Sequence, residues 1–277
     1  NLKLPESRIF LYLLNPFIII ELTGNLHFEG VMLFFLVWSL YLLQQKKWIG
    51  SAVIFAFSVL LKLVPLLLLP LFFGYFIYKN QDRNTSDLEP KLGFAKLVGF
   101  YLIVGLTVIL GFLPILSSAF IENFMATISL WFQKFEFNAS IYYLVRWVGF
   151  QVKGYNIIDT AGKVLPVITV AILTGLSFFR KNNSFEKLLT AILLGFTIYL
   201  FLSTTVHPWY LATPLLLCLF TKFRYPLIWS LVVILSYAAY TTNGFQENLW
   251  LVALEYILVM SLFVVELTGK SFLKSIQ

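Results

Sequence analysis

Ten apolar runs, at residues 9–22, 28–45, 48–61, 65–78, 97–116, 163–180, 188–203, 209–221, 226–242 and 250–268, leave this chain few ways to fold. Their lengths approach the roughly 20 residues an α-helix needs to cross a bilayer. Of the 277 residues, 60% are hydrophobic and 12% charged. A soluble domain carries about 45–50% apolar and about 25% charged residues. The balance excludes a soluble globular domain and a disordered chain. With 15 Gly, 10 Pro and one Cys, collagen and disulfide scaffolds are excluded as well. The predicted fold class is an all-α polytopic membrane protein, with about ten transmembrane or short re-entrant helices in a single transmembrane domain over 1–277. The first residue is Asn1 rather than Met, so the expectation is of a fragment that lacks N-terminal spans.

The net charge of +7 does not mark a nucleic-acid binder. In a membrane protein, Lys and Arg gather in cytoplasmic loops and set orientation. With the N-terminus inside and alternate crossing, Lys3, Arg8, Lys46, Lys47, Lys79, Arg83, Lys91, Lys96, Arg180, Lys181, Lys187, Lys222, Arg224, Lys270 and Lys274 fall inside. Lys62, Lys134, Arg146, Lys153 and Lys163 fall outside. Residues 48–78 set the parity. Lys46-Lys47 precede them and Lys79 follows, so a hairpin turned at Lys62-Leu63-Val64-Pro65 keeps both flanks inside. Pro65 supplies the break, because it donates no backbone hydrogen bond. Irregular backbone at membrane depth must be buried in protein or line a wet cavity, which places Lys62 toward a cavity.

Two polar stretches interrupt the runs. Residues 79–96 suggest a mobile solvated loop on the inner side. Residues 117–162 mix polar groups with Trp131, Phe132, Phe135, Phe137, Tyr142, Tyr143, Trp147, Phe150 and Tyr155. Such aromatic-rich amphipathic segments favour the headgroup zone, and short helices on the outer surface are predicted there.

Charged groups near spans cost about 2.5–3.5 kcal/mol at a helix centre, so each requires a reason. Asn15-Pro16 predicts a kink, followed by the turn Glu21-Leu-Thr-Gly-Asn-Leu-His-Phe-Glu29. There, His27 and Glu29 can bind a polar headgroup or transfer a proton; equally, Glu29 suits a helix start. Lys62 can hold a phosphate, or snorkel to water. In His207-Pro208-Trp209-Tyr210, Pro suits a first helical turn, the aromatics suit the membrane interface, and His207 adds a titratable group. The stretch from Phe137 to Arg146 offers Asn138, Tyr142 and Arg146 to a sugar or phosphate, or acts as a ligand-free anchor. Asn138-Ala-Ser140 is also a glycosylation sequon. Glu122, Glu136 and Asp159 look isolated, and Glu255 lies within the last run as a buried partner for some polar group. No Walker, metal-spacing or nucleophile-elbow motif occurs.

The pattern Asn15-Pro16…Glu21…Gly24-Asn25…His27-Phe-Glu29, then Lys62-Leu-Val-Pro65, then His207-Pro-Trp-Tyr210 resembles GT-C superfamily membrane glycosyltransferases. Closest in pattern are bacterial polyprenyl-phosphate-mannose-dependent α-mannosyltransferases, which are related to the GPI mannosyltransferases. The resemblance implies an inverting transferase of a hexose, above all mannose, from a polyprenyl-phosphate donor to a glycan or glycolipid acceptor. It implies a multi-pass protein of the bacterial inner (plasma) membrane with its site on the periplasmic face, and no nucleic-acid partner. Substrate-binding candidates are Asn25, His27, Glu29, Lys62, Asn138, Tyr142, Arg146, His207, Trp209 and Tyr210. The family base is an Asp or Glu of the first outer loop, expected in missing N-terminal sequence; on this chain Glu29 is the candidate. No cofactor is implied, with a divalent metal left open. The competing classes are a transporter or flippase of a lipid-linked sugar and a non-catalytic membrane subunit. Polar groups gathered on one side, without an internal repeat, favour the enzyme.

Overall fold

The computed structural model describes residues 4–78, 92–242 and 244–269. The chain is helical almost throughout. The helical stretches are α1 (Glu6–Leu13), α2 (Pro16–Gly24), α3 (Glu29–Gln44), α4 (Trp48–Leu61), α5 (Val64–Ile77), α6 (Phe94–Ile115), α7 (Ser118–Gln133) and α8 (Ile141–Lys153). They continue with α9 (Ile158–Phe179), α10 (Phe185–Leu202), α11 (Pro208–Cys218), α12 (Tyr225–Ala239) and α13 (Leu249–Leu267). Between α12 and α13, β1 (Tyr240–Thr241) pairs antiparallel with β2 (Gly244–Phe245).

Each of the ten apolar runs coincides with a helical stretch, α1 and α2 together forming the first. Full-length spans are fewer than predicted. Among the described residues, α6, α9, α10 and α13 are long and apolar enough to cross a membrane, and a fifth span arises if α1 and α2 count as one bent helix. The apolar helices α3, α4, α5, α11 and α12 are shorter. A 14-residue helix such as α4 rises only about 21 Å, against about 30 Å of hydrocarbon. The predicted loop at 79–96 falls largely on residues 79–91, outside the described residues, as do Lys3, Lys79, Arg83, Lys91, Lys270 and Lys274.

The breaks arise where proline imposes them. Asn15 caps α2 by accepting from the Phe17 N–H at 3.0 Å, Pro16 follows at the first helical position, and α1 and α2 meet at a 55° bend. The second half of α2, Ile19–Gly24, is π-helical, a local widening frequent at functional sites. At the second predicted break, α4 stops at Leu61, Lys62 is extended (φ −150°, ψ 136°), and Pro65 lies in the first turn of α5.

The chain forms two compact units. The first comprises Asn1–His27, Thr127–Val167 and Phe196–Gln277, the second Phe28–Ala126 and Ile168–Gly195. In the second unit α3 and α4 form a helical pair, tied by the buried Ser39 hydroxyl donating to the Ser51 carbonyl at 2.8 Å. Its core is aromatic: Phe55, Phe72, Phe76 and Phe100 are wholly buried. Phe55 and Phe72 meet edge-on with centroids 5.5 Å apart. Seventeen residues of straight helix would separate them by about 25 Å, so the chain folds back near Lys62.

In the first unit, Tyr142, Ala139, Ala161 and Leu165 form a buried cluster under α8 and the start of α9. Glu266, at the end of α13, accepts the Arg224 and Tyr225 backbone N–H groups and so caps α12. The Arg224 guanidinium donates to the Cys218, Thr221 and Phe223 carbonyls, each at 2.9 Å. These bonds satisfy backbone groups that helix ends leave orphaned.

Candidate functional site

Within the first unit, a short extended segment positions most of the chemistry. Phe137 pairs in parallel with Thr205: its N–H donates to the Thr204 carbonyl at 3.1 Å, and its carbonyl accepts from the Val206 N–H at 2.8 Å. Neighbouring side chains of an extended segment point to opposite sides. Phe137 accordingly faces His207, with ring centroids 5.3 Å apart, while Glu136 and Asn138 engage other partners.

His207 is buried and begins a column of rings. It stacks on Trp209 at 4.4 Å and 8°, and Trp209 stacks on His27 at 3.8 Å and 21°. Trp209 thus stacks with both histidines. Phe135, Trp131 and Tyr210 surround His207, with centroids 6.0, 5.6 and 5.5 Å away.

The outer end of the column rests on a carboxylate. Glu21 is 1% exposed. Its Oε1 accepts from the Tyr237 hydroxyl at 2.6 Å, and its Oε2 accepts from Asn25 Nδ2 at 3.3 Å. His27 Nε2 lies 3.5 Å from the same Oε2. The turn is closed by the His27 N–H donating to the Glu21 carbonyl at 3.3 Å, with Leu26 at φ 54°.

A second polar group lies under α8. Glu136, which looks isolated in sequence, is not: it accepts from Arg146 through an ion pair, from the Tyr142 hydroxyl, and from Asn156 Nδ2 at 3.2 Å. Arg146 also lies over the Tyr143 ring, 4.3 Å from its centroid. The Tyr143 hydroxyl donates to Glu247, which also accepts the Asn138 N–H at 2.6 Å. Burial pushes both phenols upward, reinforced by Glu136 at Tyr142 and by Glu247 at Tyr143, so both remain neutral donors. Burial likewise raises the Glu247 carboxyl, against the lowering effect of the bonds from Tyr143 and Asn138. Asp159 is exposed and pairs with Lys163 one helical turn on, at 2.9 Å.

Asn138 lies inside the protein, not on a ligand-facing surface. It is 0% exposed; its Nδ2 donates to Glu255 at 3.2 Å and its carbonyl accepts from the Tyr256 hydroxyl at 2.7 Å. Its φ of 45° is a left-handed conformation that Asn tolerates better than most residues. Full burial leaves no room for a glycan on the sequon. Tyr142 is also wholly buried, and Asn138 and Tyr142 hydrogen-bond to Glu247, Glu255 and Glu136 inside the protein. Glu255 completes this core by accepting from Trp229 Nε1 at 2.8 Å.

In the second unit, Glu29 opens α3, where a carboxylate suits the helix dipole, and forms an ion pair with Lys62. Glu29 is 2% exposed and the Lys62 side chain 28%. The structure therefore joins Lys62 to Glu29, and His27 to Trp209, with Asn25 sharing the Glu21 carboxylate and His207 sharing Trp209. Tyr210 flanks that column, and Arg146 belongs with Tyr142 in the group under α8. Sequence reasoning passed over Glu21 as a site residue, together with Glu136, Tyr143, Asn156, Tyr237 and Glu247. The one available signal was the cost of a carboxylate among apolar runs. No group of three or more His, Cys, Asp or Glu side chains among the described residues is placed to hold a metal ion.

Residues 4–78 match the family model described as the N-terminal domain of an alpha-(1->6)-mannopyranosyltransferase. No curated protein and no solved structure matches the chain. The matched segment contains Glu21, Asn25, His27, Glu29 and Lys62, and its similarity supports, at the family level, a mannosyltransferase-like glycosyltransferase.

Proposed function

We propose that this protein is a membrane mannosyltransferase of GT-C type that moves mannose from a polyprenyl-phosphate donor to a glycan or glycolipid acceptor, with inversion at the anomeric carbon. The site faces the outer side of the bacterial inner membrane. The observation that carries the proposal is the coincidence of the mannosyltransferase match over 4–78 with the residues that supply both polar groupings of the first turn, Glu21–His27 and Glu29–Lys62.

The chemistry is consistent. A polyprenyl donor needs an apolar approach, which lipid-facing helices offer. Its leaving phosphate needs fixed positive charge, which is most effective where water is excluded. The Lys62 ammonium, ion-paired to Glu29 and with its side chain 28% exposed, is the cation proposed to meet that phosphate. Glu29 positions the ammonium and leaves it partly exposed.

The test is transfer of radiolabelled mannose from polyprenyl-phosphate-mannose to a glycolipid acceptor by the purified protein in liposomes. Transfer by the wild type is expected, with Lys62→Ala lowering turnover about 100-fold, the scale of losing one such electrostatic donor, while membrane insertion is retained. Normal turnover in Lys62→Ala would remove the phosphate role. Movement of the intact donor between leaflets without transfer would identify a flippase instead.

A further inference from the structure

Glu255 and Asn138 are wholly buried in the first unit, and each keeps one side-chain oxygen that takes part in no hydrogen bond. Both donors that reach the Glu255 carboxyl fall on Oε1: Asn138 Nδ2 at 3.2 Å and Trp229 Nε1 at 2.8 Å. Glu255 Oε2 is left without a donor, and so is Asn138 Oδ1. Among the described residues no Lys, Arg or His forms an ion pair with Glu255. An ionised carboxylate held this way would lack the positive charge that offsets its desolvation. Two buried acceptors without donors would add to the cost.

We infer that a proton resides on Glu255 Oε2 and is donated to Asn138 Oδ1, so that the two side chains form a neutral acid–amide pair held at two points. A carboxylic acid and a carboxamide are both planar, and each presents a donor beside an acceptor. The bond from Asn138 Nδ2 to Glu255 Oε1 already joins one edge, and the proton closes the other. One bound proton thus removes the charge and satisfies both orphaned oxygens. A hard metal cation does neither as well, because it gathers about six oxygens and the pair offers two without donors. The other polar groups around the pair are committed elsewhere or already counted. Trp229 of α12 donates to Oε1, and the Tyr256 hydroxyl of α13 donates to the Asn138 carbonyl at 2.7 Å. Glu247 accepts the Asn138 N–H at 2.6 Å and the hydroxyl of Tyr143 from α8.

The bound proton has a consequence for the candidate site. Asn138 directly follows Phe137, whose backbone pairs with Thr204 and Val206 just before His207. The acid–amide pair therefore clamps onto α13 the extended segment that carries Glu136 and Phe137. The inference is independent of the transferase reading, since it concerns the framework beneath the site and no step of sugar transfer.

The experiment is infrared spectroscopy of the full chain in liposomes at neutral pH, in H2O and in D2O. The wild type is expected to show the C=O stretch of a protonated carboxyl that shifts in D2O. Glu255→Gln replaces the acid by an amide with the same donor and acceptor pattern, so it should fold and lose the intensity of one protonated carboxyl. A wild-type-minus-variant spectrum that shows ionised carboxylate bands instead overturns the inference. Asn138→Gly supplies a second comparison that does not alter Glu255, and glycine takes the φ of 45° at this position without strain. Freed from the amide, the acid's C=O stretch should move to higher frequency; an unmoved band overturns the pairing. A wild type with no exchangeable protonated-carboxyl band overturns the inference without any variant. Melting temperatures with sodium and with choline test a metal cation in place of the proton: equal values are expected, and a sodium-dependent rise that disappears in Glu255→Gln assigns the site to the cation and overturns the proton.

Discussion

At the scale of single residues, the first unit concentrates carboxylates where burial makes them costly and then supplies each with donors. Glu21, Glu136, Glu247 and Glu255 all accept hydrogen bonds from neutral side chains, and Glu136 also from Arg146. These bonds offset the cost of burying the carboxylates, although Glu255 Oε2 and Asn138 Oδ1 are buried without a hydrogen bond. Glu247 is the member whose balance is measurable. Burial raises its carboxyl, Glu136 adds to the rise, and the Tyr143 and Asn138 donors together with Arg146 oppose it. A carboxyl raised in the folded state contributes stability that is complete at low pH and is lost as pH climbs through its folded value. Glu247→Gln keeps one acceptor oxygen for the Asn138 N–H, turns an N–H donor toward the Tyr143 oxygen, and removes the titration. Relative to wild type, its melting temperature in detergent should therefore improve from pH 5 to pH 8. A pH-independent difference would show that the carboxyl is not raised.

At the scale of elements, α8 shows how one helix serves two surroundings. Leu144, Trp147, Val148 and Val152 are exposed along one stripe, spaced as neighbours on a helix face. On the other side lie Tyr142 and Gly149, both buried. Gly149 is there for space: a Cβ at this position would come within 2.6 Å of Ile157. Gly154 ends the helix at φ 78°, the left-handed C-terminal cap that glycine adopts without penalty, and the chain turns back to bring Asn156 to Glu136. Gly149→Leu should displace Ile157 and cost about 1–3 kcal/mol, as overpacking does, whereas Leu144→Gln on the exposed stripe should stay within about 0.5 kcal/mol. Melting temperatures of the two variants in detergent check this, and a Gly149→Leu protein as stable as wild type would contradict the packing. Similar logic operates at the prolines: Pro16 and Pro65 were readable as breaks because the missing N–H and the fixed φ act locally.

At the scale of the whole molecule, the proposed orientation rests on where the basic residues fall. The proposed topology places Lys153 outside and Lys181 inside. The single native cysteine, Cys218, is buried, so it gives little background in thiol labelling. A membrane-impermeant maleimide applied to intact cells should modify a Lys153→Cys protein and spare Lys181→Cys until the membrane is opened; the reverse pattern would invert the topology and move the site to the other face. The helical character of the chain was legible in its sequence, because apolar run length, proline and charge-poor composition act over a few residues at a time. Which helices are long enough to span was less legible, since α3, α4, α5, α11 and α12 read like spans but stop short of the hydrocarbon thickness. The candidate site was legible only in part. His27, Lys62 and His207 stood out as costly groups among apolar neighbours, but their partners lie far along the chain: Glu21 meets Tyr237 across 216 residues, and Asn138 meets Glu255 across 117. The amino-acid order by itself determined a helical membrane chain with two proline breaks and polar turns, because those properties are local. Only the tertiary structure decided that Glu21 holds His27, that Glu29 holds Lys62 and that Asn138 lies buried, because such pairings depend on how distant segments pack together.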